Sequence, residues 1–143
     1  MPVPWGRRSP EPARELICII DDDEAVADSL KALLETFGFH VRSYGSGADF
    51  LADDRMHRAG CLIMDQQMPG MSGLEIADHL QRAGIRLPII LISGGLDTKT
   101  RERAARLGVT KIVDKPFAAN RLVNLIQATL AEPNCRRSPG ARP

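Results

Sequence analysis

The chain has 143 residues, 19 of them basic and 18 acidic, and is 43% hydrophobic but only 4% aromatic. That composition describes one ordinary globular domain with an aliphatic core. The longest uninterrupted apolar run is the five residues Leu16–Ile20, far short of the ~20 needed to cross a bilayer, so a membrane-spanning chain is excluded, as are collagen-like, coiled-coil and low-complexity architectures.

The two ends differ from the body. Four of the ten prolines fall in residues 1–15 and three in residues 132–143, and each end carries three arginines. Proline-rich, basic, apolar-poor segments bury too little surface to offset chain entropy. Residues 1–14 and 132–143 are therefore expected to be disordered tails around a domain at 15–131. The first fifteen residues have no apolar stretch of the kind a secretory signal needs. Cys18, Cys61 and Cys135 form neither a disulfide framework nor a zinc pattern. Cys18 and Cys61 read as reduced core residues, and the expected compartment is cytoplasmic.

Along the body, short aliphatic runs alternate with helical spacing. Leu16–Ile20 reads as a first strand. Val26, Leu30, Leu33, Leu34 and Phe37 recur at steps of three and four, one face of a helix stopped by Gly38. His40–Tyr44 is a second strand, and Ser46 with Asp49 starts a short second helix. Cys61–Met64 is a third strand. Leu74, Ile76, Ala77 and Leu80 mark a third helix ending near Gly84. Leu87–Ile92 is a fourth strand. The fourth helix, Asp97–Leu107, is poor in apolar residues and is stopped by Gly108. Thr110–Val113 is a fifth strand, and Leu122, Val123, Leu125, Ile126 and Leu130 face a fifth helix inward. The pattern is (βα)5, a doubly wound α/β fold. Unalternating apolar strands suit a parallel sheet covered on both faces.

In such sheets function collects beyond the carboxyl ends of the strands. The first strand runs into Asp21-Asp22-Asp23-Glu24, the third into Asp65, the fourth into Ser93-Gly94-Gly95, and the fifth into Asp114-Lys115-Pro116. One acid after the first strand could be a helix cap, but three in a row need more explanation. Clustered carboxylates are ligands for a hard divalent cation, Mg²⁺ or Mn²⁺. A lysine facing them would neutralise a further anion. The set suits phosphoryl chemistry.

Four separated motifs, Ile19-Ile20-Asp21-Asp22-Asp23-Glu24, Met64-Asp65-Gln66-Gln67-Met68-Pro69-Gly70-Met71-Ser72-Gly73, Ile92-Ser93-Gly94 and Asp114-Lys115-Pro116-Phe117, resemble the receiver domain of bacterial two-component response regulators, most closely of the FixJ type. That resemblance implies a CheY-like five-stranded sheet in the order 2-1-3-4-5. It implies that Asp65 takes a phosphoryl group from a phosphohistidine on a sensor kinase or a histidine phosphotransfer protein. Asp21, Asp22 and Asp65, with the backbone carbonyl of Gln67, would hold the metal. Ser93 and Lys115 would contact the phosphoryl oxygens, and the bond before Pro116 would be cis. Ser93 and the position of Ile112 would carry the switch. The output would be a change in the face formed by the fourth helix, fifth strand and fifth helix, read by a downstream protein or by a second copy. The domain would be a signalling module, with only self-catalysed phosphorylation and dephosphorylation.

The sequence departs from the family pattern in places. Ile112 stands where most relatives carry Phe or Tyr, and a β-branched side chain cannot swing as a ring does. A receiver that docks partners without phosphorylation is therefore the alternative reading. Gln67 stands where an aspartyl-phosphate phosphatase would carry a second acid. No DNA-binding signature is seen after Leu130, so a stand-alone effector, relay shuttle or phosphate sink is expected, with no direct contact to DNA.

Overall fold

A computed structural model describes residues 16–54, 59–109 and 111–131. The expectations for both tails, for Cys135 and for Thr110 fall outside these residues. Five strands and five helices alternate: β1 Leu16–Ile20, α1 Glu24–Thr36, β2 His40–Tyr44, α2 Gly47–Ala52, β3 Cys61–Asp65, α3 Gly73–Arg82, β4 Ile89–Ser93, α4 Thr98–Arg106, β5 Lys111–Asp114 and α5 Ala119–Ala131. All pairings are parallel, in the order β2-β1-β3-β4-β5.

The two faces of the sheet feed two cores. Cys18 and Ile20 of β1, Leu62 and Met64 of β3 and Leu91 of β4 join Phe50 of α2, Leu74, Ile76, Ala77 and Leu80 of α3 and Ala104 of α4. The alternate residues, Ile17 and Ile19, Cys61 and Ile63, Ile90 and Ile92, and Val113, join Ala27 and Leu34 of α1 and Leu122, Val123 and Ile126 of α5. Strand alternation sends neighbouring side chains to opposite faces, which is why runs such as Leu16–Ile20 show no polar interruption.

Local chemistry sets the boundaries. Ser46 caps α2 by accepting the Asp49 N–H at 3.1 Å. Ser72 and Glu75 form a reciprocal capping box at the start of α3, which satisfies two otherwise unpaired amides. Asp97 caps α4 through the Thr100 N–H at 2.8 Å and so lies just outside the helix. β4 starts at Ile89, two residues later than its apolar run, because Pro88 has no N–H to offer a ladder; its carbonyl accepts the Leu62 N–H at 2.8 Å.

One expectation is corrected. The stripe Val26, Leu30, Leu33, Leu34, Phe37 does not face inward as a unit. Leu34 is fully buried and Leu30 and Leu33 are half-buried, but Val26 is 41% and Phe37 51% exposed. Both stand at the ends of the stripe, Val26 in the first turn of α1 and Phe37 at its C-cap, while the middle of the stripe is covered. Cys18 and Cys61 are both buried. Burial pushes the Cys18 thiol up to about 11, which suppresses its reactive thiolate. None of the helices among the described residues is long and apolar enough to cross a membrane.

Candidate functional site

The three acids after β1 have separate positions. Asp23 is the N-cap of α1, its Oδ1 accepting the Ala25 and Val26 N–H groups at 3.1 and 3.2 Å. Asp21 extends the strand, donating its own N–H to the Tyr44 carbonyl at 3.1 Å. Its Oδ1 accepts the Asp23 N–H at 2.9 Å, and the residue is only 6% exposed. Burial raises its carboxyl above the ordinary Asp range, and the nearby charges of Asp65 and Asp22 add to the rise against the lowering effects of the Asp23 N–H and Lys115. Asp22 is exposed. The capping chemistry that could have explained all three acids is thus supplied by Asp23 alone.

Asp65 closes β3 and is also 6% exposed. Its Oδ1 accepts the Gln67 N–H at 3.0 Å, and its Oδ2 accepts from Lys115 Nζ at 2.9 Å. The hydrogen bond to Asp65 is the main reason the Lys115 ammonium is held above its ordinary pKa, with the charges of Asp65, Asp21 and Asp22 assisting. Lys115 precedes a cis bond to Pro116. Ser93 is fully buried at the end of β4. Its Oγ accepts the Gly95 N–H at 2.9 Å, while its carbonyl accepts the Lys115 N–H at 2.7 Å. Ile112 is half-buried on the α3–α4 side of the sheet.

Asp21, Asp65 and Lys115 therefore meet at one edge, with Asp22 close enough to be felt electrostatically, and Ser93 joins through the Lys115 backbone. Gln67 reaches Asp65 by its N–H while its side chain faces solvent. Among the described residues, no three Asp, Glu, His or Cys side chains converge as a closed metal cage. Mg²⁺ does not require one, since it usually keeps several waters and takes one or two carboxylates. Two crowded, buried carboxylates, one of them pushed up by burial and by the other's charge, form a hard-oxygen site short of positive charge. These residues fit such a cation.

Three residues support the site in ways the sequence did not disclose. Gln66 ties the Asp65 turn to α3, its Oε1 accepting the Leu74 N–H at 3.0 Å and its carbonyl the Gly73 N–H at 3.2 Å. Gly73 lets α3 sit against that turn: a Cβ there would lie 3.0 Å from the Asp65 carbonyl oxygen and 2.7 Å from Leu91 Cδ1. Tyr44 supplies the carbonyl for Asp21 on one side. On the other, its hydroxyl donates to Asp53 Oδ2 at 2.7 Å and its ring packs edge-on against Phe50. Only the position of Gly73, one residue after a Ser that begins a capping box, offered a local signal.

A parallel sheet in this order, with buried acids beyond β1 and β3 facing a lysine beyond β5, defines a receiver domain. The chain belongs to the response regulator receiver domain family, which it matches over residues 17–127. It is 36% identical over 141 residues to the response regulator protein TodT of Pseudomonas putida, covering 99% of this chain and 62% of TodT. The transcriptional regulatory protein FixJ of Azorhizobium caulinodans is 36% identical over 112 residues, covering 78% of this chain and 53% of FixJ. Among solved structures, FixJ-N superposes with a TM-score of 0.73 at 31% identity, covering 80% of this chain and 92% of that one. The chain thus spans between half and two thirds of the length of these two curated relatives.

Proposed function

We propose that Asp65 is the phosphoacceptor of a two-component signalling pathway. The observation that carries this reading is the buried Asp65 carboxylate held 2.9 Å from Lys115 at the carboxyl end of the central strand. A carboxylate oxygen of Asp65 attacks the phosphorus of a donor phosphohistidine. The P–N bond breaks, the imidazole nitrogen leaves with the bonding pair and takes up a proton, and an acyl phosphate remains on Asp65. Such transfer needs alignment and charge stabilisation more than covalent help from the protein. The Gln67 N–H fixes one oxygen of Asp65, and Lys115 is placed to balance charge on the transferred group. Asp21, Asp22, Asp65 and the Gln67 carbonyl would hold Mg²⁺ or Mn²⁺, which when bound offsets the repulsion between acceptor and donor anions. Exposed Val26, on the first turn of α1 beside the acids, offers an incoming histidine kinase or phosphotransfer protein an apolar foothold.

Phosphorylation adds about −1.5 to −2 charge at Asp65. Lys115 is bonded to Asp65 by its ammonium and to Ser93 by its backbone, so a change at the carboxylate reaches β4 and β5 together. From there it biases the face of α4, β5 and α5, the surface a downstream protein would read. The half-buried, β-branched Ile112 favours a second reading, a receiver that docks without switching. Incubation with acetyl phosphate and Mg²⁺, followed by intact mass measurement, tests the first. One added phosphoryl group on the wild-type chain and none on Asp65→Asn supports it, and equal labelling of both overturns it. No binding of beryllofluoride at Asp65 in the presence of Mg²⁺ selects the second.

A further inference from the structure

Charge is divided along this chain. Residues 16–78 hold 12 acidic and 4 basic side chains, whereas residues 79–131 hold 3 acidic and 9 basic. The strand order makes the division spatial, because α1 adjoins β1 and β2 at one edge of the sheet and α4 adjoins β4 and β5 at the other. The two helices also pack on opposite faces, Ala27 and Leu34 of α1 in one core and Ala104 of α4 in the other.

Each helix carries a charged flank. On α1, Glu24, Asp28, Lys31 and Glu35 recur at steps of four, three and four, which places them along one side. On α4, Lys99, Glu102, Arg103 and Arg106 lie on the side away from buried Ala104. All eight are exposed except half-buried Lys31. None of them joins an ion pair among the described residues, unlike Arg82 with Asp78, Arg101 with Asp114 and Lys115 with Asp65. Even the oppositely charged neighbours Lys31 and Glu35, or Glu102 and Arg106, leave one another free.

The signs along the two flanks are reciprocal. From Glu24 to Glu35 they run negative, negative, positive, negative. From Arg106 back to Lys99 they run positive, positive, negative, positive. We propose that the α1 flank of one copy docks antiparallel on the α4 flank of a second copy, with Glu24 facing Arg106, Asp28 facing Arg103, Lys31 facing Glu102 and Glu35 facing Lys99. At 1.5 Å per residue the flanks span about 16 and about 10 Å, a mismatch of roughly 3 Å at each end that these long side chains cover. A nucleic acid is a poorer occupant, because a uniformly negative backbone gains nothing from Glu102 and is repelled by the acidic half of the chain. The flanks are different surfaces at opposite edges, so the contact is head-to-tail. Each added copy leaves one flank of each kind open, and assembly extends instead of closing at two. Exposed ion pairs contribute little each, so the association is weak and labile to salt.

Sedimentation velocity of the full chain tests this at about 20 mM and about 500 mM NaCl, conditions that differ several-fold in screening length. The expected result is a weight-average mass that climbs with protein concentration at low salt, shows no plateau at two copies, and returns to one copy at high salt. Lys31→Glu and Glu102→Lys each place like charges opposite one another and should weaken association by roughly 3- to 10-fold, while the double variant, which restores an opposite-signed pair, should recover it. Glu102 is exposed and Lys31 half-buried, and circular dichroism checks that each variant remains folded. A monomer at low salt, a closed dimer indifferent to these changes, or a double variant as defective as the sum of the singles each overturns the proposal. So does a chain that binds a duplex DNA of about 20 base pairs in preference to itself and is affected at Glu102 but not at Lys31.

Discussion

Lys115 is bonded twice to the rest of the site, its backbone N–H donating to the Ser93 carbonyl at 2.7 Å and its ammonium to Asp65 Oδ2 at 2.9 Å. One residue therefore joins the ends of β3, β4 and β5. Lys115→Met keeps the stem and removes the charge. It should slow labelling of Asp65 by acetyl phosphate by about a hundredfold, the scale of losing one preorganised stabilising group, while leaving the fold intact because the Lys115 side chain is about half exposed. The raised pKa fixes the sign of the pH effect. The ammonium's contribution is complete below the ordinary lysine range and is lost only as pH rises through the higher folded value. The rate of labelling should therefore not fall between neutral pH and the lysine range on account of this group.

Asp21 is expected to be a net cost to the fold when no cation is bound. Its carboxyl is pushed up by burial, with Asp65 and Asp22 adding to the effect. A group whose folded pKa is raised contributes its full stability below the unfolded value and loses it as pH rises through the folded value. At neutral pH in chelator, Asp21→Asn should therefore raise Tm by a few degrees, and the difference should shrink as pH is lowered through the carboxylate range. Thermal melts of both proteins at pH about 7 and about 3 check it. A variant less stable than wild type at neutral pH contradicts this account of the burial.

The element order, the parallel sheet and the residues at the strand ends were legible because each follows from local periodicity and from where apolar runs stop. The fate of Val26 and Phe37 was not, since a stripe of apolar residues does not say how much of its length its neighbours will cover, and these two stand at the first turn and the C-cap of α1. Nor could sequence spacing divide the labour of Asp21, Asp22 and Asp23: all three are good caps, and only the path of β1 out of the sheet decides that Asp23 caps α1 while Asp21 turns inward. Strand ends brought Lys115 to the same edge as Asp65, but the bond between them across 50 residues has no local signature. Gln66, next to Asp65 in the chain, caps α3 across eight residues, a bond with no local signature.

Asp97 gives α4 a pH dependence of opposite sign. Its hydrogen bonds with Thr100 hold its carboxyl below the usual range. The cap's contribution is present above the ordinary aspartate pKa and is lost as pH falls through the depressed folded value. Asp97→Asn preserves an acceptor at the N-cap and should remove that acid sensitivity, whereas Asp97→Ala should lose the cap at every pH. Amide hydrogen exchange in residues 98–102 reads the effect locally. Equal exchange for wild type and Asp97→Ala near neutral pH would show that the cap is idle.

Gly73 is where α3 touches the acceptor turn. An added Cβ would meet Leu91 Cδ1 at 2.7 Å, the Asp65 carbonyl oxygen at 3.0 Å and Gln66 Cα at 3.2 Å. A leucine methyl can yield by rotating, but two of these three atoms are backbone, so the helix itself must move. Gly73→Ala should destabilise the domain by about 1–3 kcal/mol, the range for overpacking a filled interior, despite alanine's better helix propensity. Because the obstruction lies against the residue that bears the carboxylate, the same variant should also slow labelling of Asp65. Gly84→Ala provides the contrast: its φ of +74° strains any side chain, but nothing lies within 4 Å of the added carbon, so it should lower stability and leave labelling of the folded protein unchanged. Urea unfolding paired with acetyl phosphate kinetics separates the two, and a Gly73→Ala protein that unfolds early yet labels at the wild-type rate would disconnect α3 from the placement of Asp65.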